Sequence, residues 1–307
     1  MRINGIKYPV VCLFLIVLFC SCTETDQLGP APVSVDYENQ INEWKEYRID
    51  VLTGPTNWLR LHGIYWLAEG KNTFGSGNEQ DVTFPEGTIP NYAGSFLLDD
   101  GIITMRVADE VTITHESESV NEMVIFDGEN RPHLEHGDLE WFVDTRGNSH
   151  GIRLYNKDNP KADAFEGFPA YPLNVEWHLH ARFVPNQDSL SITVDNVLGE
   201  EVERTSPGNI EFLIDGTLYS VIALEANSGL FIMFADETNR TETYHAGRYM
   251  IIPFPDENNM TILDFNKAYN PPCAFNQFTT CLLPPSQNRL EVPIEAGEKR
   301  PIGWDGI

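Results

Sequence analysis

The stretch Ser95–Val107, SFLLDDGIITMRV, decides the fold. Two apolar runs are separated only by Asp99-Asp100-Gly101. An Asp-Gly pair between β-prone segments marks a tight hairpin whose turn needs a left-handed glycine. Phe212–Ile214 and Thr217–Ile222 flank Asp215-Gly216 in the same way. Working outward, Val111–Thr114, Val124–Phe126, Trp141–Asp144, Ile152–Tyr155, Leu190–Val194 and Leu230–Phe234 add short strands. In Trp177–Phe183 the alternation places Trp177, Leu179, Ala181 and Phe183 on one face, with His178, His180 and Arg182 on the other. Short strands punctuated by turns, with no internal repeat, predict a mainly β fold, an antiparallel β barrel or sandwich. One N-terminal amphipathic helix is expected over Ser34–Leu52, packed at one end. Tyr37, Ile41, Trp44, Arg48 and Val51 recur there at steps of three and four, Ser34 or Asp36 can cap it, and Gly54-Pro55 stops it. The aromatic density of Asn57–Leu67 predicts a strand buried on both faces. A break near Pro160–Pro172 can divide two sheets, but a single β domain over residues 34–307 is the simpler reading.

The 307 residues are 41% hydrophobic and 11% aromatic, ample for a buried core. Forty-six acidic against twenty basic side chains leave a net charge of −26. Such a surface repels phosphate backbones, which argues against nucleic-acid binding. A cationic ligand or divalent metal is compatible with it, although solubility alone accounts for such a charge in most acidic proteins.

The chain starts as a targeting segment. Arg2 and Lys7 precede the ten-residue apolar run Val10–Phe19, too short for an ordinary membrane span. It ends in Phe19-Cys20-Ser21-Cys22, which resembles a bacterial lipobox, with Phe19 and Cys20 replacing the usual aliphatic and small residues. The leading expectation is a signal peptide over residues 1–21, a lipid anchor on Cys22 and a tether over residues 22–33; the competing reading is a plain secretory signal cleaved nearby. The tether would end in the extended spacer Gly29-Pro30-Ala31-Pro32. The expected address is the bacterial cell envelope, facing the periplasm or the cell surface.

Thr261–Glu298 carries the most particular detail: Asp264-Phe265-Asn266, Ala268-Tyr269-Asn270-Pro271-Pro272-Cys273-Ala274-Phe275, then Cys281, Pro284-Pro285, Asn288-Arg289-Leu290 and Ala296-Gly297-Glu298. Pro271 and Pro272 donate no backbone hydrogen bond and push the preceding residues out of the helical region, so the chain runs extended there. This pattern resembles the uncharacterised DUF1684 family, with its DFNxAYNPPCAF, C-x-x-PP-x-x-NRL and AGE segments. Asn57–Leu67 and Gly70–Ser76 resemble its amino-terminal motif, so the resemblance runs from about Trp44 to Glu298. Leu282, where a proline is usual, and His245 depart from the pattern. The family implies no activity.

Cys273 and Cys281 lie within that hallmark, and Cys12, Cys20 and Cys22 leave with the signal or serve as the anchor. The pair is either a disulfide, which persists outside the reducing cytoplasm, or two buried free thiols. Two cysteines without neighbouring histidines fall short of a zinc set, and no metal or cofactor is expected.

The candidate chemistry is carboxyl-terminal. Phe234–Thr238, Thr243-Tyr244, Gly247–Tyr249, Asp264, Asn266 and Asn270 all fall on the family pattern. Arg248 with Asp264 makes a charge-assisted pair, and Asn266 and Asn270 bracket a turn from which both amides can enter one concavity. Asp264, Asp236 and Arg248 are the candidate catalytic groups of a hydrolase. Arg153, Arg248, Asn266, Asn270, Arg289 and Glu298 are the candidate ligand-binding set. The competing reading is that these groups satisfy backbone donors and acceptors around an irregular loop. Arg146-Gly147, Arg153, Asp158 and Phe165 form a second cluster.

His133-Leu134-Glu135-His136 lacks the helix of a zincin, and His178 with His180 has no third ligand. Gly147-Asn148-Ser149-His150-Gly151 spells GxSxG but joins two strands, so a hairpin turn is expected there. The leading expectation is an envelope protein whose β domain binds a small polar ligand or envelope component. A hydrolase or a purely structural module are the alternatives.

Overall fold

The structure, a computed structural model, describes residues 28–303. The expected signal peptide and the expected anchor Cys22 lie outside the described residues. The fold is mainly β, with 45% of residues in strands, antiparallel sheets and one long helix near the N-terminus.

The Asp-Gly hairpins form as expected. Asp99 pairs with Ile102, and Asp100 and Gly101 take φ of +48° and +80°. Asp215 and Gly216 repeat this at +50° and +77°. Two left-handed residues give the turn whose twist matches that of the flanking strands. Gly94–Asp99 and Ile102–Val107 belong to a five-stranded sheet with Gly70–Gly75, Val82–Thr83 and Glu122–Phe126. A six-stranded sheet contains Leu61–Trp66, Leu139–Arg146 and Ser149–Asn156. Phe74, Phe96 and Met105 from the first sheet and Trp141, Ile152 and Leu154 from the second fill one core, so the two make a sandwich. GxSxG falls on a hairpin, with Arg146 opposite Ser149.

A second core lies in the seven-stranded sheet, which curls into a half-barrel. Its spine is the 18-residue strand His178–Asp195. The first part of that strand pairs with Met260–Asp264, and its remainder pairs with Glu201–Ile214. Thr217–Ala226, Gly229–Phe234 and Arg248–Ile252 continue the order. The alternation in 177–183 has the expected phase: Leu179 and Ala181 are buried in the core with Ile210, Phe212, Ile232 and Leu263. The outer face is apolar as well, because Leu224, Met233 and Tyr249 pack there against Cys273 and Cys281. A sheet covered on both faces explains why Gly229–Phe234, GLFIMF, is an unbroken apolar run. The chain leaves the first core near Pro160–Asp163 and enters the second at His178.

Four local expectations are corrected. The helix spans Tyr37–Thr53, and Asp36 stands at its start without a side-chain cap, because its carboxylate is held by the Asn39 amide. The strand in Asn57–Leu67 is only Leu61–Trp66, and it is not buried on both faces, since Trp66 is exposed. Trp177 lies in a short 3₁₀ turn before the strand. Gly29 and Pro30 are no spacer: they pair with His180 and Leu179 at a sheet edge, and the His178 carbonyl accepts from the Ala31 amide at 2.7 Å.

Candidate ligand-binding site

Asp264 ends the last strand and caps the 3₁₀ turn Phe265–Lys267, accepting the Asn266 amide at 3.1 Å. The same oxygen accepts the Tyr37 hydroxyl at 2.7 Å, which fastens the start of the helix to the motif. Burial, followed by the neighbouring Asp264 carboxylate, pushes the Tyr37 hydroxyl far above its ordinary pKa, so it stays a donor. Asn266 donates to the Asn174 carbonyl at 2.9 Å and accepts the Asn174 amide at 3.2 Å. Phe265 enters the core and meets Trp177, Phe212 and Phe234 edge to face.

Arg248 does not pair with Asp264. Its Nη2 donates to Asp236 Oδ2 at 2.6 Å and to the Ile294 carbonyl at 2.9 Å, and its Nη1 donates to the Ala296 carbonyl. Strand geometry explains the choice: Arg248 opposes Phe234 across the sheet, two residues from Asp236. Both side chains of this ion pair are 0% exposed. The other Asp236 oxygen accepts the amide and the hydroxyl of Thr238. Both side chains are shut off from solvent and held by partners within the protein.

The Ala296-Gly297-Glu298 segment joins two such networks. Ala296 supplies the carbonyl to Arg248, and Gly297 takes φ of +75°. A Cβ at Gly297 would stand 2.5 Å from the Ala268 carbonyl oxygen and 2.8 Å from that of Phe265, so only glycine fits. Glu298, fully buried, accepts Arg48 Nε at 2.9 Å, the Asn270 amide at 2.7 Å and Asn270 Nδ2 at 3.0 Å. Burial raises its carboxyl pKa against the pull of Arg48. Arg48 also stacks over the Tyr269 ring, 4.5 Å from its centroid. Burial pushes the Tyr269 hydroxyl up to about 12, opposed by the same arginine. Asn266 and Asn270 therefore turn to different partners and share no concavity.

The other expected residues lie apart. Arg153, in the first sandwich, donates to the Tyr155 hydroxyl at 2.7 Å and lies over Trp58 and Tyr155. Arg146 lies over Trp66 and donates to the Phe278 carbonyl. Arg289 is exposed, and its backbone bridges to Ala235. Cys273 and Cys281 are joined as a disulfide, with their Cα atoms 6.1 Å apart. His133 turns to Glu140 and His136 to the Thr112 carbonyl. Among the described residues no group of three or more His, Cys, Asp or Glu is placed to hold a metal ion.

What these networks build is a groove between the helix and the outer face of the half-barrel. One cavity of about 480 Å³ is lined by Trp44, Tyr47, Arg48, Trp58, Phe231 and Tyr269, among others. A second, of about 370 Å³, is lined by Tyr37, Gln40, His178, Asp264 and Lys267. Trp44, Ser228, Ile251 and Lys267 line both, so the cavities adjoin. Their sizes lie within the usual range of small-molecule sites. Of the expected site residues, only Asp264 and Asn270 line the groove. Trp44 reads in sequence as part of the helix's core stripe, and Lys267 is the variable position within DFNxAYN; neither marks a site by itself. The one available signal is Tyr47, a large aromatic off that stripe, which is 63% exposed.

Residues 163–299 match a family model. The family is DUF1684, described as a protein of unknown function. The matched DUF1684 span holds the seven-stranded sheet from His178 onward, the Arg248–Asp236 network and Glu298, but it leaves out the first sandwich and the helix with its Arg48 and Tyr37. No curated protein matches. Among solved structures, an uncharacterized protein of Haloarcula marismortui, solved by solution NMR, is similar at 27% identity and a TM-score of 0.39, over 46% of this chain and 80% of that one. The FHA domain of FhaA, complexed with an intracellular domain, is similar at 16% identity and a TM-score of 0.21, over 30% of this chain and 96% of that one. An FHA structure from work on phosphothreonine-dependent interactions gives the same identity and TM-score, over 30% of this chain and 92% of that one. At these TM-scores none of the three bears on function.

Proposed function

We propose that the DUF1684 region, together with the helix, is the ligand-binding part of an envelope lipoprotein anchored through Cys22. The observation that carries the binding reading is the groove. Its walls are aromatic, a few polar groups converge in it, and the buried Arg48–Glu298 and Tyr37–Asp264 contacts fix its rim. Rigid walls with few polar groups are what a small ligand needs for orientation.

Export is supported by the apolar run with its lipobox and by the Cys273–Cys281 disulfide, a bond that persists outside the reducing cytoplasm. With Gly29 and Pro30 pairing in the sheet, the tether shortens. Cys22 stands six residues before Leu28, at most roughly 20 Å of extended chain, so an anchored domain stays close to its membrane. Cys22→Ser is expected to move the protein from the membrane to the soluble fraction on cell fractionation. Retention in the membrane would refute the anchor.

For the groove, thermal shift and tryptophan fluorescence against sugars, amino acids, peptides, nucleotides and fatty acids form the test. At least one class is expected to raise the melting temperature and perturb Trp44 or Trp58, with the response lost in Lys267→Glu. A panel with no binder, or binding indifferent to that substitution, overturns the assignment.

A further inference from the structure

We infer that the groove takes a neutral, polyhydroxylated ligand, a short saccharide chain; this rests on the reading of the groove as a binding site and names its ligand class. Two kinds of wall meet there. Trp44, Tyr47, Trp58, Phe231 and Tyr269 offer aromatic surface to one cavity. Gln40, Ser228, Asp264 and Lys267 offer polar groups to the other. Aromatic rings supply large apolar area at low conformational cost, and their flat faces match the C–H faces of a pyranose.

The polar wall narrows the choice. One Asp264 oxygen is filled by Tyr37 and Asn266. For the other, the nearest cation among the described residues is Lys267 Nζ at 4.0 Å, beyond hydrogen-bond length. A hydroxyl group between them accepts from the ammonium and donates to the carboxylate, which satisfies both. The Gln40 amide and the Ser228 hydroxyl likewise offer both a donor and an acceptor.

Other ligand classes leave one of these groups opposed or unpaired. A carboxylate or phosphate has no proton for Asp264 and meets a chain of net charge −26. A cationic ligand suits the net charge of the chain but is opposed inside the groove by Lys267 and Arg48. An acyl chain covers Asp264 and Lys267 without replacing their water, which is costly. Hydroxyls, which donate and accept at each carbon, satisfy Gln40, Ser228, Asp264 and Lys267, and equally His178, which lines the same cavity.

The test is titration of the detergent-solubilised full chain with maltotriose, cellotriose and chitotriose, read by tryptophan fluorescence and calorimetry. At least one is expected to bind saturably, with an affinity that high salt leaves unchanged because the ligand carries no charge. Lys267→Met, a change at a part-exposed side chain, is expected to weaken it about tenfold or more, the loss of a hydrogen bond to a charged group. Trp44→Leu, which keeps an apolar wall but removes the ring, is expected to weaken it as well. Trisaccharide binding untouched by both variants places the sugar elsewhere and overturns the inference. If no trisaccharide binds while an anionic or amphiphilic compound does, and Lys267→Glu abolishes that binding, the saccharide class fails and the groove stands. If nothing in either series binds, both readings fail.

Discussion

Arg248→Met is expected to cost about 3–5 kcal/mol of folding stability, because it strands a fully buried Asp236 carboxylate without its counter-charge. It also removes the donors to the Ile294 and Ala296 carbonyls, which hold the chain just before Gly297. A protein of this size loses roughly 2–4 °C of melting temperature per kcal/mol, so a fall of about 10 °C is expected. Chemical denaturation of wild type, Arg248→Met, Asp236→Asn and the double variant forms a cycle. The double variant should lose less than the sum of the singles, because removing both charges leaves neither one buried and unpaired. Additive losses, or a single-variant cost under about 1 kcal/mol, would sink the argument that the pair fixes this corner of the half-barrel.

Glu298→Gln is the second large effect, with a sign in pH that stability alone does not have. The carboxylate accepts three N–H donors and provides none, so the amide of glutamine sets donor against donor in a fully buried place. A cost of about 1–3 kcal/mol follows from the hydrogen bonds left unmade. Burial raises the folded-state carboxyl pKa, so the folded protein binds this proton more tightly than the unfolded chain does. The contribution of that proton to stability is therefore full below the unfolded carboxyl pKa and is lost as pH rises through the folded value. The stability advantage of wild type over Glu298→Gln should shrink as pH rises from about 4 toward neutrality, since the other carboxylates are common to both proteins. Urea midpoints measured across that range decide it; an advantage that grows with pH contradicts the burial-dominated shift.

These two networks also show why expectation and structure part company. The asparagine and aspartate positions in DFNxAYNPPC are recognisable, but their partners are not. Arg248 lies 16 residues from Asp264 and 12 from Asp236, and only the pairing of Arg248 with Phe234 across the sheet brings Asp236 to it. Arg48 and Glu298 are 250 residues apart in sequence. No local pattern announces that contact, and the helix stripe explains Arg48 only as a residue facing inward.

The sequence by itself determined what depends on short range. Asp100-Gly101 and Asp215-Gly216 dictate hairpins because few other residue pairs accept two left-handed conformations in a row. The alternation through Leu179 and Ala181 sets the buried face because side chains on a strand repeat every two residues. Cys273 and Cys281 stand close enough in the chain for a bond, although only the folded loop brings their sulfurs together. Tertiary structure decided the rest. The curl of the half-barrel chose Asp236 over Asp264 for Arg248. The docking of the helix placed Trp44, Tyr47 and Arg48 opposite Phe231, Lys267 and Tyr269, which makes the groove. Such a site exists only where two distant surfaces face one another, and their separation in sequence carries no trace of their distance in space.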